Sequence, residues 1–266
     1  MATSRLEFRQ VTKRFGNRNS GDGRDPVITA VEDVSLALAD GEVVSLIGPS
    51  GCGKSTLLNL GSGLDRPNEG TVLVDGEEVD GPNSHVAFML QKDLLLPWRT
   101  IRDNVELGQE IQGVARESRR TVALDLIAKY KLGEFANAYP HQLSGGMRQR
   151  AALARTMAMD PDVLLLDEPF SALDAQTKMV LQTDLARTLK DEGKTAFLIT
   201  HDLIEAVALS DRVLVMSSRP GRIIEEIAVE MPEREKPIAR RGHPKMGDYI
   251  TKLMGLLHIG DEIEAA

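Results

Sequence analysis

The chain has 266 residues, 42% of them hydrophobic, which is enough to bury a core in one large α/β domain or two small ones and excludes disorder as its overall description. A formal net charge of -8 argues against binding along a nucleic acid, and the single cysteine, Cys52, excludes an internal disulfide and a cysteine-based zinc site and fits a reducing compartment. No stretch reaches the roughly 18 to 20 uninterrupted apolar residues of a spanning helix, and the N-terminal MATSRLEFRQ lacks the apolar core of a secretory signal, so the chain is expected to stay in the cytosol.

Residues 16–26, rich in Gly, Asn, Asp and Arg, read as an exposed loop joining two N-terminal strands as a hairpin. The apolar run Glu42 to Ile47 has the length and continuity of a strand buried on both faces. It leads directly into GPSGCGKST, comprising Gly48, Pro49, Ser50, Gly51, Cys52, Gly53, Lys54, Ser55 and Thr56, and then into the helical run Leu57 to Leu60. That strand, loop and helix order is the context of a phosphate-binding P-loop. The glycines let backbone N–H groups converge on phosphate without a Cβ in the way, Lys54 supplies a point charge, and the Ser55 hydroxyl supplies a magnesium ligand. Cys52 is explained as a small residue that the loop tolerates.

The stretch from about Asp93 to Met157 is mostly helical and interrupts the strand series between Phe88 and Val163, with Val122, Leu126, Ile127 and Tyr130 expected on one face. Within it, LSGGMRQR (Leu143 to Arg150) places Ser144 as a helix N-cap and exposes the N–H groups of Gly145 and Gly146, which is either an anion site or an ordinary capped surface helix. Val163 to Pro169, VLLLDEP, is a buried strand ending in two carboxylates; Asp167 is placed to hold Mg²⁺, directly or through water, and Glu168 to polarise an attacking water. Further runs at Ala196 to Ile199 and Val213 to Met216, with a helical face of Leu181, Leu185 and Leu189 between, complete an α/β alternation with a largely parallel sheet. Glu225 to Ala266 is charged and then weakly helical.

With these motifs in this order, the chain resembles the nucleotide-binding subunits of ABC transporters from Leu6 to about Ile224. The resemblance implies a P-loop NTPase core with a mostly parallel sheet, an N-terminal antiparallel β subdomain and an inserted helical subdomain. Residues 1–230 are then the ATPase domain, with about 93–157 as the insertion and 231–266 as a C-terminal extension. It implies ATP and Mg²⁺ as ligands, Phe15 as the ring that stacks on adenine, and Gln91 as the side chain that touches Mg²⁺ or the attacking water. It further implies that Asp174, in SALD, crosses a dimer interface, that His201 contacts the γ-phosphate, and that Ser144, Gly145 and Gly146 face the nucleotide held by another subunit. The active species is thus expected to be a dimer, of identical or homologous ATPase subunits, with two ATP molecules at its interface.

KDLLLPWRTIRDNVELG, DEPFSALDAQTKMVLQTDL and SSRPGRI are similar to the nitrate, sulfonate and taurine group of importers, and Leu96, Pro97 and Trp98 then form a surface suited to a partner helix. The expected partners are a membrane permease and, indirectly, a solute-binding protein, with the chain peripheral on the cytoplasmic face of the inner membrane. A soluble ABC ATPase uncoupled from transport is the alternative, although such proteins usually carry long coiled-coil inserts or tandem ATPase domains, which this sequence does not show. A P-loop kinase leaves LSGGMRQR and SALD without a role.

Overall fold

The computed structural model describes residues 4–16 and 27–258, so the loop expected at 16–26 lies, apart from Gly16, outside the described residues. The strands are β1 (Ser4–Phe15), β2 (Ile28–Ala39), β3 (Val43–Ile47), β4 (Glu69–Val74), β5 (Glu77–Glu78), β6 (Val86–Met89), β7 (Val163–Asp167), β8 (Thr195–Ile199), β9 (Arg212–Met216) and β10 (Ile223–Ala228). The helices are α1 (Lys54–Gly61), α2 (Ile101–Val105), α3 (Leu107–Ile111), α4 (Arg116–Lys129), α5 (Gly145–Met157), α6 (Ala175–Asp191), α7 (Leu203–Leu209), α8 (Pro237–Arg241) and α9 (Met246–Leu256).

Two sheets form. One is antiparallel in the order β2-β1-β4-β5; the other runs β10-β9-β3-β8-β7-β6, parallel throughout except for the β10–β9 edge pair. Every residue of β3, β7 and β8 is buried, because layers cover both faces of the central strands; hence their continuous Val, Leu and Ile runs. The antiparallel sheet covers one face through Leu6 and Phe8 of β1, which pack with Leu57 of α1, Leu165 and Phe197. The Phe8 and Phe197 rings meet at 6.3 Å. Helices cover the other face, where Ile101, Ile127, Leu153 and Leu185 pack with Leu166 and Leu198.

Helices α2 to α5 all fall between β6 and β7, as the missing strand signal there predicts. Helix α4 is rotated from the expected face, however. Ala123, Ile127 and Tyr130 are fully buried whereas Val122 is 36% exposed, because the seam against α5 follows the 123, 127, 130 row and not the larger neighbouring side chain.

The end of the chain is anchored more firmly than its weak periodicity implies. Met246 and Leu253 of α9 join a core with Val207, Val213 and Ile227. The buried Arg240 guanidinium donates to the carbonyls of Ser210 (2.7 Å), Pro232 (2.9 Å) and Met231, satisfying backbone acceptors around the end of α7.

Candidate nucleotide-binding and hydrolysis site

A cleft of about 490 Å³ opens where β3 gives way to α1. The loop between them must pass close under β2. Gly53 has φ +107°, and a Cβ there would lie 2.5 Å from Val31 Cγ1, so only glycine fits that step. Lys54 Nζ lies back across the loop, donating to the carbonyls of Gly48 (2.8 Å) and Pro49 (2.9 Å). Cys52 is not there merely as a tolerated small residue: it is 1% exposed and packs in the core beneath the loop with Val31, Leu57 and Met216.

Three parallel strands deliver the remaining polar groups. β6 pairs with β7, and β7 with β8, so their C-terminal ends lie side by side and the residues that follow each strand converge. Asp167 ends β7 at 7% exposure; burial pushes its carboxyl above the ordinary value, opposed by a hydrogen bond from Ser55 and the charge of Lys54. Glu168 follows with φ +46°, a left-handed conformation held by its N–H donating to Ile199 O at 2.9 Å. Its Oε2 accepts from Gln91 Nε2 at 3.1 Å and lies 3.3 Å from His201 Nδ1. The three residues picked out after three different strands thus meet on one carboxylate oxygen.

Phe15, at the end of β1 and 46% exposed, lines the other end of the cleft with Ile28 and Ala30, so it is not a core ring. Lys13 Nζ lies 5.2 Å from its centroid.

Not every expected residue comes together. Ser144 caps α5, its Oγ accepting from Met147 N at 3.3 Å, and Asp174 caps α6, accepting from Thr177 N at 3.0 Å; the Thr177 hydroxyl, and then this backbone bond, hold the Asp174 carboxyl below its ordinary value. Neither these nor Gly145 and Gly146 line the cleft of their own chain.

Four cleft residues were not expected from the sequence, namely Ile28, Ala30, Ile199 and Arg219. Arg219 was visible only as part of SSRPGRI; a single surface arginine distant in sequence from the P-loop has no period or spacing to mark it.

The segment after Gln91 is bound to α5. Arg148 Nε meets Asp93 Oδ2 at 3.0 Å, and the Arg155 guanidinium donates to the carbonyls of Asp93 (2.6 Å) and Leu94 (2.8 Å). Beyond it, buried Asn104 accepts from Leu96 N at 2.7 Å and donates to the carbonyls of Leu96, Arg99 and Thr100. That clamp fixes a turn on which Trp98 stands 69% exposed, so the ring is outside the core.

Comparison with known proteins places this geometry. The ABC transporter family profile matches residues 31–171, more than half of the sequence. The chain belongs to the ABC transporter family. It is an ATP-binding subunit with ATPase activity, and its fold is that of the ABC ATPases. The uncharacterized ABC transporter ATP-binding protein MJ0412 of Methanocaldococcus jannaschii is 43% identical over 95% of this chain and 91% of its own length. The taurine import ATP-binding protein TauB of Yersinia pestis is 44% identical over 77% of this chain and 80% of its own length. The solved dimeric ATP-binding cassette MJ0796, bound to ADP and Pi, superposes on this ABC ATPase with a TM-score of 0.76 at 32% identity, covering 85% of this chain and 99% of that one. Among the described residues, no helix is long and apolar enough to cross a membrane.

Proposed function

We propose that this ABC ATPase energises uptake of a small solute of the nitrate, sulfonate or taurine class through a separate permease, from a peripheral position on the cytoplasmic face of the membrane. A solute-binding protein acts on the permease side. The reading is supported by the likeness to a taurine import ATP-binding protein and, above all, by the clamped turn that presents Trp98 to solvent beside the Gln91 segment. An exposed tryptophan on a rigid turn loses little conformational freedom on docking and is well suited to anchor a partner helix.

In this reading residues 1–230 are the ATPase unit, 93–157 its inserted helical subdomain and 231–266 a C-terminal extension. Phe15 stacks on adenine, while the backbone N–H groups of the Gly48 to Thr56 loop, all but that of Pro49, which has none, and the Lys54 ammonium hold the phosphates. The residues present fit a divalent cation: Asp167 is a buried carboxylate disfavoured in its charged form, and the Ser55 hydroxyl bonds to it. Ser55 and Asp167, with Gln91 nearby, would hold Mg²⁺, which supplies charge neutralisation at the phosphates. Glu168 polarises the attacking water, and Gln91 and His201 orient its carboxylate.

Ser144, Gly145, Gly146 and Asp174, which do not line their own cleft, serve the nucleotide of a second subunit. ATP then closes a dimer of identical or homologous subunits, and its hydrolysis reopens it. Through Arg148 and Arg155 the movement of α5 reaches Asp93 and Leu94 and hence the Trp98 turn.

The test is reconstitution in proteoliposomes with the neighbouring permease and binding protein. Taurine, an alkanesulfonate or nitrate should stimulate ATP hydrolysis severalfold, and Trp98→Ala should abolish that stimulation while the basal rate of the isolated subunit persists. Stimulation that survives Trp98→Ala, or that none of these solutes produces, would overturn the proposal.

A further inference from the structure

We propose that Arg219 is a second cationic grip on the nucleotide's phosphate chain, working beside Lys54. This rests on the cleft being the nucleotide site. Arg219 lines that cleft from the turn joining β9 to β10, and its Nε and Nη2 both donate to Gly51 O, at 3.2 and 2.9 Å. One edge of the guanidinium is thereby spent on the P-loop backbone. The other edge, carrying Nη1, makes no hydrogen bond among the described residues.

Charge pairing separates this arginine from the next one along the chain. Arg222, three residues on, is matched by Glu32 at 2.6 Å, whereas no carboxylate lies within ion-pair distance of Arg219 among the described residues. A planar cation with an unspent fork, fixed at the lip of an anion site, is suited to phosphate oxygens.

The turn itself is built to stay in place. Ser217 Oγ accepts from Arg222 N at 3.0 Å and donates to Pro220 O at 3.1 Å. Gly221 N donates to Ala30 O at 2.9 Å, and its carbonyl accepts from Glu32 N at 3.0 Å. A Cβ on Gly221 would lie 2.0 Å from Cys52 O, so the turn lies directly against the P-loop. The guanidinium is therefore presented in position before any ligand arrives, which limits the entropy lost on contact.

The experiment titrates a fluorescent ADP analogue into the purified subunit at low and physiological salt. Arg219→Ala should weaken binding roughly tenfold, as expected for loss of one charge-assisted hydrogen bond, and flatten the salt dependence. Arg219→Lys should retain most of the affinity, and Arg219→Gln should behave as Arg219→Ala. Lys54→Ala is the control for the cleft: if it binds like wild type, the nucleotide site is elsewhere and this proposal falls with it. Wild-type affinity in Arg219→Ala alone would overturn only the role of Arg219. Equal losses in Arg219→Lys and Arg219→Ala accompanied by a lower Tm would also overturn it, leaving the side chain as a brace for the Gly51 carbonyl.

Discussion

Glu168 gathers two opposing requirements at one residue. Its left-handed φ is unfavourable for a side chain with a Cβ, by about 1–2 kcal/mol, yet it turns the carboxylate toward Gln91 and His201. Glu168→Gln keeps size and backbone, so ATP binding should persist while hydrolysis falls on the order of 10² to 10⁴-fold in a phosphate-release assay; wild-type turnover would remove Glu168 as the base. Asp167 is governed by burial instead. Because its folded-state pKa is raised, the folded protein holds the proton more tightly than the unfolded chain; that favourable contribution is complete in acid and is lost as pH rises through the folded value. At neutral pH the ionised group is therefore a liability to the ligand-free protein. Asp167→Asn should raise Tm near pH 7 without nucleotide, by an amount that shrinks on acidification, while abolishing ATPase activity. A lower Tm at pH 7 would contradict the burial argument. Both acids were legible in the sequence because a buried strand dictates where its last residues emerge. Arg219 was not, since nothing local in the sequence ties a late turn to the P-loop.

At the scale of elements, the ends of α6 and α7 are joined through a charge pair that sequence periodicity cannot reveal. Lys178, in the first turn of α6 after Asp174, meets Glu205 at 2.7 Å and Asp202 at 2.8 Å; Asp202 caps α7 immediately after His201. Glu205 is 2% exposed, and burial holds its carboxyl above the ordinary value despite the lysine. Removing Lys178 leaves that acid buried without its cation, with Gln182 Nε2 still donating to it at 2.8 Å, so Lys178→Met should cost about 3 kcal/mol in urea unfolding, and Glu205→Gln added to it should restore most of the loss. A loss below about 1 kcal/mol would place the pair among ordinary surface contacts. Continuous apolar runs made β3, β7 and β8 readable, and the cap at Ser144 located α5. Long-range contacts decided the rest. The orientation of α4 depends on which row fits α5, and the docking of the C-terminal helices depends on the core that Met246 and Leu253 join and on buried Arg240 reaching backbone carbonyls.

For the whole molecule, Ser144, Gly145, Gly146 and Asp174 lie apart from the cleft, so under the proposed function one chain presents two incomplete surfaces. That arrangement is what the family resemblance implies; from its own residues the LSGGMRQR string reads equally as an ordinary capped surface helix, and the sequence alone could not say whether the chain folds one surface onto the other. The start of α5 at Ser144 is exposed and carries no acidic side chain in its first turn, so nucleotide in one copy should draw in the other. The closed form is favoured only by the difference in nucleotide affinity between closed and open pairs, so it should accumulate when hydrolysis is blocked. A Glu168→Gln protein carrying Ser50→Cys, mixed with one carrying Gly146→Cys, should cross-link efficiently with ATP and poorly without it. Arg148, which links α5 to Asp93, tests whether closure is felt beyond the interface. Arg148→Ala should leave the ATP-dependent cross-link in place while loosening the Gln91 segment, visible as faster amide exchange around Asp93 and Leu94. Cross-linking that ignores nucleotide would refute the shared site, and unchanged exchange at Asp93 would refute the path from α5 to the Trp98 turn.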